Sequence, residues 1–274
     1  MLIDTHCHIH ESGFYTDDRE EVYKRAIESG VKMICIGTTE ESSHEAVEFA
    51  KNHEDVWATV GVHPHDIRDG WAKIGELLST HTPARVAGPE SSDLRTDSTG
   101  ISDDGSGRQK LVGIGEIGLD YFYDNSPRQT QIKALEEQLQ WARDYNLPVS
   151  FHVREAYGDF WPILANFPGI RGVLHSFTDS IENMEKAVSS GLFIGVNGIS
   201  TFARDKQEMF DAIPLDKMLL ETDAPFLTPV PLRGKINEPA FVRHVAEYHA
   251  KRRGVELEHL ARVTSANASR LFEI

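Results

Sequence analysis

Two histidines, His6 and His8, stand two residues apart directly behind the apolar residues Leu2 and Ile3. Alternate side chains of an extended chain point to the same face, so these two imidazoles face the same side. Imidazole nitrogen is a ligand that suits zinc, manganese and similar divalent ions. The pair therefore indicates a metal site at the end of the first strand.

The same pattern recurs where four other short apolar runs stop. A single histidine at such a position is typical of a satisfied core residue, whereas a ring of them from several strands is typical of a metal centre. The further candidates are Glu116 in "GEIGLDY", His152 in "SFHVREA", His175 in "LHSF" and Asp223 in "LETDAP".

These six candidate ligands exceed what one catalytic ion needs if it keeps a position open for water. We therefore predict two divalent ions, Mg, Mn or Zn, with Glu116 as the bridging carboxylate. His6, His8 and Asp223 would complete one site, and His152 and His175 the other. Two ions a few ångströms apart hold and deprotonate one water and clamp both oxygens of a displacement, which points to a hydrolase.

The elements that must position these residues are short apolar, β-branched runs separated by amphipathic helical patterns. Such an alternation predicts a parallel sheet covered by helices. Eight such units in one chain predict a (β/α)8 TIM-type barrel with the metal site at the C-terminal face of the strands. A doubly wound open sheet is the alternative, although neither a GxGxxG motif nor a P-loop supports it. The predicted strands are Leu2–Asp4, Met33–Gly37, Val56–Val62, Leu111–Ile114, Pro148–Phe151, Gly172–Leu174, Leu192–Val196 and Met218–Leu220.

One segment, Val86–Lys110, departs from this pattern because it is rich in Gly, Ser and Asp and almost lacks large apolar residues. Such a composition cannot bury a core, so we predict a flexible insertion at about 86–110 in a single barrel domain spanning 1–274. It falls between the third helix and the fourth strand, on the N-terminal face. The chemistry of a barrel lies at the opposite end, so we expect a tolerated surface insertion there.

Composition narrows the class of protein further. The 274 residues carry a formal charge of −15 and two cysteines, Cys7 and Cys35, with no apolar run long enough for a membrane span and no secretion signal. We therefore expect a globular cytoplasmic protein with no membrane association. The negative charge argues against tight, extended duplex binding, which needs many phosphate contacts. It does not exclude a strand end, because two divalent ions outweigh the charges of Glu116 and Asp223 at the mouth.

The motifs together resemble the TatD family of metal-dependent deoxyribonucleases within the amidohydrolase superfamily. The similarity runs through "IDTHCH", "GVHPH", "GEIGLDYFYD", "PVSFHVREA", "LHSFTDS", "LFIGVNGISTF", "LETDAPFLTPVPLRGKINEPAFV" and "TSANASRLF". The resemblance implies the barrel and a two-metal centre at the same six residues. It also implies 3′-to-5′ exonucleolytic hydrolysis of single-stranded DNA, with RNA as an alternative substrate; the insertion is the clear departure from the family.

Other polar residues near the strand ends are candidates for substrate contacts. His63 in "GVHPH" is predicted to contact substrate or support a ligand, and Arg154, two residues after His152, to hold a phosphate. Arg233 and Lys235 in "PLRGKINEP" are predicted to contact a nucleic-acid backbone. His10 and His65 are expected at the rim, and a last group on helical patterns is expected to pack or face solvent: His44, His53, His81, His244, His249 and His259.

The leading hypothesis is a nuclease in which Asp223 orients the attacking water and takes its proton, and Glu116 bridges the ions. A small-molecule amidohydrolase or esterase on the same centre is the alternative, and a catalytically silent binding protein is a third. Single-stranded nucleic-acid ends are the expected substrate, and no stable protein partner is implied.

Overall fold

The strands pair in parallel in the order in which they occur in the chain, and the last returns to the first. The computed structural model describes residues 1–15, 18–82, 109–123 and 125–274. The sheet closes because the Asp223 backbone N–H donates to the His6 carbonyl and the His8 N–H to the Ala224 carbonyl, both at 2.8 Å. The predicted (β/α)8 barrel is confirmed. Its strands are β1 (Leu2–Cys7), β2 (Val31–Ile36), β3 (Val56–Val60), β4 (Leu111–Asp120), β5 (Val149–Arg154), β6 (Gly172–Leu174), β7 (Phe193–Val196) and β8 (Met218–Leu220).

Helices connect successive strands and form the outer layer. Local signals start and stop several of them. The hydroxyls of Thr39 and Ser180 accept from the backbone N–H groups of Ser42 and Asn183 in the first turns of two helices, and a third helix is capped by Gly254 with a φ of 63°. Within the described ranges the helices are α1 (Arg19–Glu28), α2 (Glu40–Asn52), α3 (Lys73–His81), α4 (Arg128–Tyr145), α5 (Tyr157–Ala165), α6 (Ile181–Ser189), α7 (Gln207–Ala212), α8 (Val242–Arg253) and α9 (Leu257–Phe272).

Three strands run further than their apolar pattern predicts. We expected β1 to stop at Asp4, β4 at Ile114 and β5 at Phe151. Pairing instead continues to Cys7, Asp120 and Arg154, with Asp120 opposite Arg154. Backbone hydrogen bonds hold these extensions although polar side chains now interrupt the apolar run. His6 and Glu116 therefore lie on rigid strand rather than on loops.

The interior of the barrel has an apolar lower layer. Side chains that share one face of the strands, such as Val173 and Leu219, form a separate cluster from those packed under the outer helices, and Leu271 and Phe272 of α9 close it below. The layer holds the strands in register beneath the polar residues. Its other strand members are Ile3, Ile34, Ile36, Trp57, Val112 and Phe193.

The predicted insertion occupies the connection between α3 and β4. All of it except residues 109–110 lies outside the described residues. The single-domain organisation and the placement of Val86–Lys110 stay predictions.

Candidate metal centre

Glu116 lies at the centre of the mouth formed by the carboxyl ends of the strands. Its Oε1 is 3.0 Å from His152 Nδ1 and 3.5 Å from His175 Nε2, and its Oε2 is 3.2 Å from His6 Nε2. The carboxylate therefore faces histidines of β1 and β5 and the histidine that follows β6. This is the position expected of a carboxylate shared between two groups of ligands.

Asp223 joins the same centre from the loop after β8. Its Oδ1 lies 3.3 Å from His8 Nε2 and 3.7 Å from His6 Nε2. The residue has a φ of 57°, in the left-handed region that aspartate tolerates better than most residues. The structure thus brings together the six residues predicted as ligands: His6, His8, Glu116, His152, His175 and Asp223.

The ring contacts of His6 and His8 leave one nitrogen of each free toward the carboxylates. His8 Nδ1 lies 3.0 Å from the Ile36 carbonyl, to which it donates, and the ring then turns Nε2 toward Asp223. His6 Nδ1 lies 3.3 Å from Ser150 Oγ, while its buried Nε2 has no hydrogen-bond partner among the described residues. A buried nitrogen without a partner, beside carboxylates, fits a metal ligand whose other nitrogen fixes the ring.

Glu221 supports the centre and was not predicted. Its Oε1 lies 3.1 Å from His175 Nδ1 and accepts the Ser176 backbone N–H at 2.6 Å. A Cβ at position 195 would lie 2.4 Å from Glu221 Oε2, so Gly195 leaves the space that this carboxylate fills. The available signal was spacing, because Glu221 stands two residues before Asp223 and two after the interior Leu219.

Asp120 supports the other side of the centre and was also not predicted. Its Oδ2 lies 2.9 Å from His152 Nε2 and 3.0 Å from His65 Nε2. Asp120 is fully buried, and its Oδ1 accepts the backbone N–H groups of Phe122 and Tyr123. It stands four residues after Glu116 on the same strand, an even spacing that could have placed it on the same face.

The electrostatic balance keeps the carboxylates ionised. Burial raises the pKa of Glu116, but the neighbouring His175, His63 and His6 outweigh it and lower that pKa well below its ordinary value. Burial also raises the pKa of Asp223, which His8 and His175 lower below its ordinary value. Ionised carboxylates are the form that binds a metal ion.

The histidines divide into two groups. Burial lowers the pKa of His6, and of His63 still further, so that both rings stay neutral, which for His6 is the form that binds a metal ion. Burial alone would lower the pKa of His175 too, but the carboxylates of Glu221 and Glu116 raise it to about 10.

Several overlapping groups of these residues have ligand atoms close enough together to hold an ion. One of them, Glu116 with His152 and His175, corresponds to one predicted site, and another, His6 with His8 and Glu116, corresponds to the other without Asp223. The donor set and the buried unpartnered nitrogens fit divalent ions. The number and identity of the ions remain predictions.

The predicted substrate residues lie at different depths. His63 is buried, with Nε2 3.4 Å from Glu116 Oε1. Arg154 is exposed, and its guanidinium carbon lies 3.9 Å above the Phe122 ring. Arg233 stacks on Phe202 at 4.0 Å and donates to the Thr228 carbonyl, so part of its donor capacity is used within the loop. Lys235 is exposed on the same loop.

The remaining histidines mostly follow expectation. His65 is half-buried beside Asp120, near the rim as predicted. The rim position predicted for His10 is wrong, because its ring is fully buried and its Nε2 lies 3.0 Å from Ser42 Oγ. The other six lie on helices or directly at their ends, as expected: His44, His53, His81, His244, His249 and His259.

A parallel eightfold barrel with histidines and carboxylates converging at its C-terminal mouth defines a metal-dependent hydrolase of the barrel type. The model of the TatD-related DNase family matches residues 3–273. The chain therefore belongs to the TatD-related DNase family, and the predicted family and enzyme class are confirmed.

Individual relatives agree over the whole chain. The metal-dependent hydrolase YabD of Bacillus subtilis, itself uncharacterized, is 32% identical over 284 aligned residues, covering 100% of both chains. The 3′-5′ ssDNA/RNA exonuclease TatD of Salmonella typhimurium is 35% identical and covers 96% of both. The crystal structure of YjjV, a TatD homologue from Escherichia coli, superposes with a TM-score of 0.83 at 29% identity, covering 100% of this chain and 98% of that one.

None of the helices in the described ranges is both long and apolar enough to cross a membrane. The cytoplasmic location and the lack of a stable protein partner stay predictions.

Proposed function

We propose that this protein is a two-metal phosphodiesterase that removes nucleotides from the ends of single-stranded DNA or RNA. The observation that carries the proposal is the position of Glu116, whose two oxygens face different groups of histidines across the mouth. The exonuclease activity in the name of the Salmonella relative supports the substrate class.

Two sets of residues would hold the ions, with Glu116 shared between them. His6, His8 and Asp223 form one set, and His152 and His175 form the other. Bound divalent ions would lower the pKa of a water molecule at the mouth and withdraw charge from the phosphate oxygens.

Asp223 acts as the proton acceptor. Its ionised carboxylate accepts the proton of the attacking water at one oxygen, while its backbone N–H stays bonded to the His6 carbonyl. The left-handed backbone at Asp223 and the closure of β8 on β1 fix where that oxygen stands. The acceptor is therefore positioned before substrate arrives.

His63 acts as a hydrogen-bond donor toward the substrate phosphate. Its Nδ1 accepts the His65 backbone N–H at 3.2 Å, so the neutral ring carries its proton on Nε2, the nitrogen that faces Glu116. An N–H aimed into the mouth suits a phosphate oxygen, whereas a metal ligand would need a free lone pair there. Glu221 and Asp120 orient His175 and His152 from outside the centre.

Metal removal tests the proposal. Protein purified without chelator is expected to contain about two divalent ions per chain, and exhaustive EDTA treatment should abolish cleavage of a single-stranded oligonucleotide and of bis-p-nitrophenyl phosphate. Returning Mg, Mn or Zn should restore both activities.

A parallel panel of carboxylic esters and amides provides the contrast. If those turned over readily while neither phosphodiester was cleaved with any of the three metals, the proposed substrate class would be wrong. Full activity after EDTA treatment without metal return would contradict the metal centre itself.

A further inference from the structure

Exposed aromatic rings surround the mouth and have no role in the proposed chemistry. Phe122 and Tyr123 are 48% and 53% exposed, and Phe14 and Phe226 are 40% and 48% exposed. Among the described residues no other Phe, Tyr or Trp side chain is as exposed, and all four lie on loops that follow β1, β4 or β8 at the C-terminal end of the strands. Exposed apolar groups clustered at one site mark a binding surface.

The rings form two pairs, each in contact with the metal centre through a histidine. The first aromatic rim, Phe122 and Tyr123, has ring centroids 4.7 Å apart, and Tyr123 lies 5.3 Å from His65. The second aromatic rim, Phe14 and Phe226, has centroids 5.2 Å apart, and Phe226 lies 6.5 Å from His8.

The two rims lie on opposite sides of the mouth. The strands of the closed sheet follow chain order, so β4 and β5 stand across the barrel from β8 and β1. The first rim belongs to the β4 side and the second to the β1 and β8 side. A chain crossing the mouth between them passes over Glu116 and Asp223.

Arg154 gives the first rim a positive charge. Its guanidinium carbon lies 3.9 Å from the Phe122 centroid and 4.8 Å from that of Tyr123. Stacking on two rings holds the guanidinium in place, and it forms no ion pair with a carboxylate of the described chain. The rim thus offers aromatic faces and one available cation together.

We propose that the two aromatic rims are stacking platforms for the unpaired bases on either side of the scissile phosphodiester. This inference rests on the proposed function and adds how the substrate is recognised. Every nucleobase has a π-face, so stacking binds single strands with little regard to sequence. The bases inside a duplex are already stacked on both faces by their neighbours, so the same surface selects against duplex.

The overall charge supports stacking as the source of affinity. A protein with a formal charge of −15 repels a polyanion at long range, so many phosphate contacts are not available to it. Base stacking needs no such contacts. Arg154 then serves one phosphate beside the stacked base.

The experiment compares rim variants on oligonucleotides with and without bases. Phe122→Ala with Tyr123→Ala, and separately Phe226→Ala, should raise the KM for a single-stranded oligonucleotide about 5- to 100-fold, the range of one lost base stack. The increase in KM for bis-p-nitrophenyl phosphate should be at least fivefold smaller than the increase for the oligonucleotide. Phe122→Trp should restore affinity to Tyr123→Ala, because the indole offers a larger aromatic face than the phenyl ring it replaces.

An abasic substrate isolates the stack. Removing the bases beside the scissile bond should weaken binding to the parent protein by a similar factor and add little further loss in the rim variants. Tyr145→Ala, on the C-terminal end of α4 at the other end of the barrel, is the control and should leave both KM values as in the parent.

The possible outcomes separate the two proposals. The stacking inference is wrong if oligonucleotides are cleaved and the rim variants keep the KM of the parent. It is also wrong if the variants lose the same factor in affinity for normal and for abasic strands. If the parent cleaves bis-p-nitrophenyl phosphate but no oligonucleotide, the nuclease proposal fails instead. Thermal unfolding of each variant checks that the fold is retained.

Discussion

The two ends of the barrel interior use the same strands for opposite purposes. Toward the N-terminal face, Leu219 of β8 and Val173 of β6 pack in the apolar layer that Phe272 closes. Glu221 stands two residues after Leu219 and His175 two residues after Val173, and both are buried polar groups at the mouth. Burial of the apolar lower layer stabilises the fold, whereas burial of ionisable groups in the upper layer costs part of that stability.

This contrast shows that a cavity by itself does not locate the chemistry. A cavity of about 590 Å³ opens on the N-terminal face, lined by residues such as Ile3, Trp57 and Arg171. None of the residues proposed as metal ligands lines it. The mouth is identified instead by converging histidines and carboxylates with shifted pKa values.

The largest difference between the two ends is expected for one pair of aspartates. Asp223 follows β8 at the mouth, and Asp216 precedes it at the N-terminal face, where it is exposed. Asp223→Asn should lower kcat on a phosphodiester about 100- to 10,000-fold, the range for loss of a general base, while Asp216→Asn leaves it intact. Steady-state kinetics and metal content are measured together, so that loss of the proton acceptor is separated from loss of a ligand. An Asp223→Asn protein with full metal content and parental kcat would remove Asp223 from the mechanism.

Two phenylalanines should separate stability from substrate binding, because Phe272 lies beneath the lower layer and Phe122 lies at the mouth. Phe272 is 2% exposed beneath the lower layer, and Phe272→Ala should reduce the free energy of unfolding by about 3–5 kcal/mol through the cavity it leaves. The activity of the folded fraction should stay near that of the parent. Phe122→Ala at the mouth should change unfolding little and raise the oligonucleotide KM. Urea unfolding and kinetics on both variants check this, and a Phe272→Ala protein as stable as the parent would show that the lower layer does not carry stability.

The smallest difference in activity or metal affinity is expected between variants of two glutamates, each of which contacts a basic side chain. Glu221→Gln removes the carboxylate beside His175 and should lower activity or metal affinity about 10- to 100-fold, as replacements of groups that orient a ligand do. Glu273→Gln breaks an exposed contact with Arg171 on the N-terminal face and should change neither. Metal titration by calorimetry measures the affinities. Equal values for the two variants would show that Glu221 does not orient His175.

The predicted ligands could be found from the sequence because parallel strands end together. An apolar run that stops at His152 or Asp223 marks both a strand end and a face, and the barrel brings such ends to one mouth. The pattern was weaker for strand length, since β1 and β4 continue through polar residues. It also placed His10 at the rim, although its ring is buried against Ser42.

The sequence by itself determined the order of strands and helices, the candidate ligands at the strand ends and the family, because these depend on short-range pattern and spacing. Only the tertiary structure decided that Nε2 of His6 and of His8 faces the carboxylates, that Glu221 and Asp120 support His175 and His152, and that four aromatic rings stand around the mouth. Phe14, Tyr123 and Phe226 are far apart in the chain and belong to no periodic pattern. Their meaning arises from closure of the sheet, which sets β1 and β8 across from β4 and turns separate loops into two opposed surfaces.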